Sequence, residues 1–349
     1  MNELFSQRLR SARIMRNLSM DHLCIKMGGI VSKQSISKYE SGASVPNSTI
    51  LMALCDALDV KPDYFFQQPP QIVHVSFRKL SKLPKKEEKS IREIVKDDVE
   101  RYNEIETICG NEQHFDTSFP DVIVTAEADV YLLAGKLRDR WHLGNDAIGN
   151  IINLLEDNDI KVVEIDASLG FDGFSGWIDG DQPVIVLNKN MSAERKRFTA
   201  LHEVGHIVMR FAEELTFSEK EHFCHLFASE VLIPCYEFKR LIGDHRHDIS
   251  INELSSLQRQ YGISIDALMY KAKYLGVISE RRYKTFCIKK NADERLKRAV
   301  DLSIYAEEKS DRFENMVFMA LSKELITMSK AAALLNKPVE EVANSFVLA

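Results

Sequence analysis

No apolar run in this 349-residue chain reaches the roughly 20 residues that a membrane-spanning helix needs. Its beginning, Met1-Asn2-Glu3-Leu4, lacks the charged-then-apolar layout of a signal peptide. Cysteine is sparse and scattered: Cys24, Cys55, Cys109, Cys224, Cys235 and Cys287 include no C-x-x-C pair. That argues against a disulfide framework and against a cysteine-rich zinc module, and it makes a reducing cytoplasm the expected setting, with no membrane partner. Internal repeats and low-complexity tracts are missing too, which excludes a solenoid or a disordered array. An overall positive charge is also lacking. The net charge of −6 excludes a uniformly basic nucleic-acid binder. The average conceals an asymmetry, however. Residues 1–45 hold seven Lys or Arg against three acids, a local excess of +4 that suits a phosphate-facing module joined to something with another task.

What is present divides readily. Residues 3–66 read as closely spaced short helices, followed by Gln67-Gln68-Pro69-Pro70, where two adjacent prolines stop any helix because neither has an N–H to donate. Residues 86–109 form one long helical pattern with Ile91, Val95, Val99, Tyr102, Ile105 and Cys109 on a stripe, the spacing of a core-facing helix or a short coiled-coil seam. Gly110–Pro120 breaks the pattern as a loop. Helices are then predicted over 126–142 and 145–156, and a β-branched strand over Lys161–Ile165. Phe174–Ile178 and Val184–Leu187 flank Asp179-Gly180-Asp181-Gln182, the signature of a hairpin. Further helices are predicted over 193–211, 219–232, 251–260 and 265–275, and helix again from Asn291 to the end, including short helices at Ile326–Leu335 and Val339–Val342. This last region reads as a structural cap, with a sensor or dimerisation element as the other option. The fold class expected is mainly α with a small β-sheet (α+β): an all-α domain (1–68), a linker and long helix (69–120), a central domain with a short sheet (121–278) and a helical C-terminal region (279–349).

Met20–Met27 is a candidate bracing helix of a helix-turn-helix, with Gly28-Gly29 supplying the turn. Ser32 suits the N-cap of the next helix, Lys33–Ser41, and Gly42 its C-terminal stop. On that helix Ile36 and Tyr39 point inward, leaving Lys33, Gln34, Ser37 and Lys38 outside. Gln pairs with adenine in two places, and Lys reaches guanine acceptors or phosphates. With Leu9-Arg10-Ser11-Ala12-Arg13, Ser32–Gly42, Pro46 and Leu54–Leu58, the stretch Leu4–Phe66 resembles the phage-repressor/Cro (XRE) family. The resemblance places Lys33, Gln34 and Lys38 on base-reading positions and Glu40 on the helix-ending acidic one, and implies double-stranded operator DNA as a partner. Met20 departs from it, standing where many members carry a polar residue that grips the backbone. Tight binding by a monomer is therefore not expected, and a homodimer is among the expected forms.

In His202-Glu203-Val204-Gly205-His206 the histidines are four apart on a helix, so both imidazoles leave the same side and can meet one ion. Glu203 stands where a carboxylate can exchange a proton with water at that ion. Gly205 permits close approach by another element, and Phe198, Leu201 and Val208 supply the opposite, buried face. The motif alone is moderate evidence. Its surroundings strengthen it: residues 126–277, with Leu137–Gly144, Pro183–Asn188, Arg197–His206 and Phe227–Pro234, resemble the ImmA/IrrE metallopeptidases, regulatory peptidases that occur fused to XRE domains. The resemblance implies a zinc cofactor and a third ligand at Glu221. Read from the residues alone, Ser218–Glu221 also fits a capping box with Glu221 folded back onto the helix start, and His225 is the alternative ligand. Cys224 reads as packing, His222 as an outsider, and His245 and His247 as loop residues. Val184–Leu187 is either a sheet edge that takes up an extended peptide or an ordinary buried strand.

The leading expectation is a DNA-binding transcriptional regulator with a zinc endopeptidase domain that cleaves itself or a partner regulator, Glu203 acting as the catalytic base. The alternative is a non-catalytic repressor or antitoxin that uses the same domain as a sensing or partner-binding platform. A zinc hydrolase of small molecules is a weaker third.

Overall fold

The computed structural model describes residues 2–66, 72–73, 84–111, 115–119, 121–168, 170–178 and 180–346. The helix break expected at Gln67–Pro70 lies outside the described residues. The chain is mainly helical with a few short strands, the α+β class expected, and none of its described helices is long and apolar enough to cross a membrane. It divides into two compact units, one of residues 1–113, 178–180 and 311–349, the other of residues 114–177 and 181–310.

The first unit opens with α1 (Asn2–Met15), α2 (Met20–Lys26), α3 (Lys33–Glu40), α4 (Ser48–Leu58) and a 3₁₀ turn at Pro62–Phe66. Side-chain caps punctuate these helices: Ser19 Oγ accepts from His22 N, Ser32 Oγ from Ser35 N, and Asn47 Oδ1 from Ile50 N. Between α2 and α3 the chain turns through Gly28 and Gly29 at φ +70° and +73°, a region closed to most side chains. Phe5, Leu9, Leu23, Ile36, Leu54 and Phe65 form one buried core. A two-residue strand, β1 (Ile72–Val73), precedes the long helix α5 (Lys85–Cys109). Its stripe is buried from Ile91 to Ile105, with Cys109 half-buried. The stripe is a core face, because α5 lies on α1. Ser90 Oγ donates to Met15 O at 2.8 Å, and Arg8, stacked 4.6 Å over the Tyr64 ring, pairs with Glu100.

The second unit contains β2 (Ile123–Val124), α6 (Glu127–Arg140), α7 (Ile151–Asp157), β3 (Lys161–Ile165), β4 (Gly173–Ile178), β5 (Gln182–Asn188), α8 (Ala193–Val208), β6 (Arg210–Phe211), α9 (Phe217–Leu232), α10 (Cys235–Ile242), α11 (Ile251–Tyr261), α12 (Ile265–Tyr274), α13 (Glu280–Ala292) and α14 (Glu294–Asp301). Its strands run in the order β4–β5–β3, with β3 and β5 parallel and Val162 opposite Ile185. β5 is therefore not an edge. Both its neighbours are strands and residues 183–188 are buried on both faces, which settles its continuous apolar pattern as that of a central strand. Two other expectations are corrected. Residues 145–150 are not helical: Asn150 caps α7 from Asn153 N, and the carbonyls of Ile148 and Gly149 accept from the Arg197 guanidinium instead. The helix predicted over 193–211 ends at Val208, after which Arg210-Phe211 pair in parallel with Ile123-Val124.

Nor is the chain helical throughout after Asn291. Residues 302–310 form an irregular strap over the first turns of α8. Glu194 accepts from Ile304 N and Tyr305 N, Lys196 donates to Glu308 O at 3.2 Å, and Arg197 pairs with Glu308, whose other oxygen accepts from Ile151 N. Arg197 is fully buried, and its Cζ stacks 4.4 Å from the Tyr305 ring. Gly262, at φ +61°, is placed where a Cβ would fall 2.3 Å from Arg197 Nε, so a side chain there would expel the guanidinium. Beyond the strap, α15 (Arg312–Ser322), α16 (Met328–Leu335) and α17 (Val339–Ser345) return to the first unit. There Val317, Ala320, Leu334 and Val342 form one buried cluster with Tyr102 and Ile105 of α5.

Candidate functional site

Ser192 caps α8 and so fixes its phase; ten and fourteen residues later His202 and His206 leave one side of the helix. Gly205 lies between them on the face turned to α9. A Cβ there would stand 3.3 Å from the Phe227 ring and 3.5 Å from Cys224 Cα, so its absence lets the two helices close up. The start of α9 is set by Thr216, whose hydroxyl accepts from Glu219 N while Glu219 Oε2 accepts from Thr216 N at 2.8 Å. The Thr216 hydroxyl, 2.6 Å from Glu219 Oε2, and then the Thr216 N–H donate to this carboxylate and hold it below the usual range. The capping box therefore lies two residues before the position expected from Ser218–Glu221. Glu219 folds back, and Glu221 turns to the histidines.

Three groups converge. The Nε2 atoms of His202 and His206 are 3.1 Å apart. Glu221 Oε1 is 3.0 Å from His206 Nε2, and its Oε2 is 3.5 Å from His202 Nε2. Ligands at about 2.0–2.1 Å from a tetrahedral zinc ion stand roughly 3.3–3.4 Å from one another. The three separations bracket that value, so these residues fit a zinc ion on the basis of spacing and donor chemistry alike.

His202, His206 and Cys224 also bring ligand atoms within 4.8 Å of one another. Cys224 meets the other side of the ring, however: its Sγ is 3.4 Å from His206 Nδ1, the nitrogen turned away from Glu221. A proton on Nδ1 shared with this sulfur leaves the Nε2 lone pair facing the centre, which is how an outer partner orients an imidazole ligand. Glu203 is buried on the same helix, and its Oε2 accepts from Ser175 Oγ of β4 at 2.8 Å.

His225 sits on the outer side, its ring 4.5 Å from that of His202 and stacked on Phe198. Phe198 thus belongs to the site side of α8 and is only half-buried, whereas Leu201 and Val208 do face the core. His245 and His247 are exposed between α10 and α11, and His222 lies 3.5 Å from Glu127. Sequence reasoning passed over Ser175 and gave Cys224 only a packing role. For Cys224 the signal was its place one turn after Glu221. A polar residue on an otherwise apolar strand was the only hint of Ser175.

In the first unit Lys33, Gln34, Ser37 and Lys38 are all exposed along α3, while Ile36 and Tyr39 are buried beneath them. Arg13 fixes the end of this helix: its Nε and Nη2 donate to the two oxygens of Glu40 at 2.5 and 2.8 Å, and its Nη1 to Leu18 O. The local positive excess is smaller in effect than the count suggests. Arg8 is buried against Glu100, Arg13 is bound to Glu40, and Arg16 donates to Leu58 O and to Asp59. Arg10, Lys26, Lys33 and Lys38 remain exposed, with Lys33 in a solvent-exposed pair with Asp21 at 2.7 Å. Met20 packs half-buried against the core, and its thioether has no donor to offer a phosphate.

Residues 9–65 match the helix-turn-helix family, and residues 155–273 match the IrrE N-terminal-like domain of the M78 peptidases. No curated protein matches the chain. The chain thus joins, in that order, a helix-turn-helix to a metallopeptidase-like domain.

Proposed function

We propose that this protein is a transcriptional regulator that binds operator DNA through α3 and cleaves a peptide bond, in itself or in a partner regulator, at a zinc centre held by His202, His206 and Glu221. The observation that supports this most is the convergence of two imidazole nitrogens and a carboxylate, 3.0–3.5 Å apart, beside a buried second carboxylate. Bound there, zinc would polarise the scissile carbonyl and acidify a water molecule. Glu203 is the base. Ser175 holds one of its oxygens in place, and the carboxylate takes the proton of the attacking water and returns it to the departing amine. Cys224 orients His206 from behind. Glu221→Ala is expected to weaken zinc binding by more than about 100-fold, whereas His225→Ala changes it by less than about 10-fold, as suits a residue outside the ligand set. Competition with a chromophoric chelator measures both, and the reverse order would move the third ligand to His225.

For the DNA-facing helix, Gln34→Ala is expected to relax preference at one base pair by about 1–3 kcal/mol and leave non-specific binding nearly intact. Lys38→Ala should weaken binding to all sequences and flatten its salt dependence. Operator selection followed by salt titration reads both, and unchanged affinity of both variants at every salt concentration would remove α3 from the interface.

A further inference from the structure

A cavity of about 420 Å³ opens beside the histidines, between α9 and α12. His225, on its wall, packs against the His202 ring, and Phe198, also on the wall, lies one helical turn before His202 on α8. Leu226 and Ala267 supply aliphatic surface, and Tyr270 and Tyr274, stacked 6.3 Å apart, supply aromatic surface.

The charged groups around the cavity are matched within the protein. The Lys271 ammonium is buried and lies 3.2 Å from Ser229 O and 3.3 Å from Glu230 Oε2. Asp266 pairs with Lys290. The Cys235 thiol donates to Glu230, and burial pushes it up to about 11, so it presents a neutral surface. A charged guest would have to enter without a free counter-charge, at a desolvation cost that an apolar guest escapes. The volume exceeds that of a single large side chain and falls within the range of ordinary ligand pockets.

We infer that this cavity is the subsite that receives a large apolar or aromatic side chain of the peptide substrate next to the scissile bond, and that Phe198, Leu226, Ala267 and Tyr270 determine that preference. The inference rests on the zinc peptidase reading, and it adds the class of sequence cleaved: a site flanked by a residue such as Phe, Leu or Met and not by an acidic or basic one.

The test uses the zinc-loaded full chain and four hydroxamates that share one metal-binding head: acetohydroxamate, and analogues carrying a benzyl, a carboxylate or an ammonium side chain. Burial of the benzyl group is expected to tighten binding by about 10- to 100-fold over acetohydroxamate, with no gain for either charged side chain. Ala267→Trp, which fills the cavity, should abolish the benzyl preference and leave acetohydroxamate and zinc affinity unchanged. Tyr270→Ala, at a residue 44% exposed, should reduce the preference several-fold if the larger substitution disturbs folding. Equal binding of benzyl and acetohydroxamate, or a preference that survives Ala267→Trp, overturns the subsite and leaves the metal centre standing. Benzyl-compound binding that is undiminished after zinc removal also overturns it, in favour of an independent small-molecule site. If no hydroxamate binds and His206→Ala takes up zinc as the parent does, the metal reading has failed and the subsite with it.

Discussion

Glu203→Gln is expected to slow peptide-bond cleavage by about 10²- to 10⁴-fold while zinc and DNA affinity remain at parental values. The reason is local. The amide has the size of the carboxylate and can still accept from Ser175, so a residue only 1% exposed keeps its hydrogen bond and the helix is undisturbed. What is lost is the ability to take a proton. None of the three groups that surround the centre is altered. Mass spectrometry of the incubated full chain and of a peptide library, with a reporter gene under the bound operator, reads both consequences. Cells carrying Glu203→Gln should stay in the regulatory state that cleavage normally ends. If the variant regulates normally, no metal-dependent product is found, and His206→Ala fails to regulate, the domain is a platform for sensing or partner binding and not a peptidase.

The second large effect concerns the strap. Glu308→Ala is expected to destabilise the second unit by about 3–5 kcal/mol, because it leaves the fully buried Arg197 without its counter-charge and Ile151 N without its acceptor. Arg197 would still donate to Ile148 O and Tyr261 O, but carbonyl dipoles do not neutralise a guanidinium. Glu308→Gln, which preserves an acceptor for Ile151 N, should cost less. The two tryptophans of the chain, Trp141 and Trp177, both belong to the second unit, so tryptophan fluorescence during urea unfolding reports this unit alone. A loss below about 1 kcal/mol would mean that water or another residue replaces the carboxylate, and that the strap does not depend on this pair.

Several features were legible because they depend on neighbours in the chain. The α3 helix could be read from Ser32, the 3-residue spacing of Ile36 and Tyr39, and Gly42, since capping and helix phase are local. The pairing of His202 with His206 follows from the four-residue step of any helix. Each of these needs only the covalent order and the geometry of one element.

The third group at the centre was not of that kind. Whether Glu221 folds back or reaches across was open in the sequence, because Ser218–Glu221 has the spacing of a capping box and a carboxylate there can equally serve as a ligand. The structure uses Thr216 with Glu219, and the close approach of α8 to α9 over Gly205 carries Glu221 to the histidines. Val184–Leu187 had the composition of a buried strand or of an edge, and only pairing on both sides decides between them. The missing helix over residues 145–150 and the strap at 302–310 share one kind of cause, distant side chains that claim backbone groups a helix would have used for itself: Arg197 and Glu308 take Ile148 O, Gly149 O and Ile151 N, and Glu194 and Lys196 take Ile304 N, Tyr305 N and Glu308 O. Sequence by itself determined the two modules, their order and the side of each helix that carries chemistry, because periodicity and capping act over a few residues. Tertiary structure alone decided which distant carboxylate, thiol and hydroxyl meet those helices, because buried charges and hydrogen-bonding groups must find partners wherever the packed chain brings them.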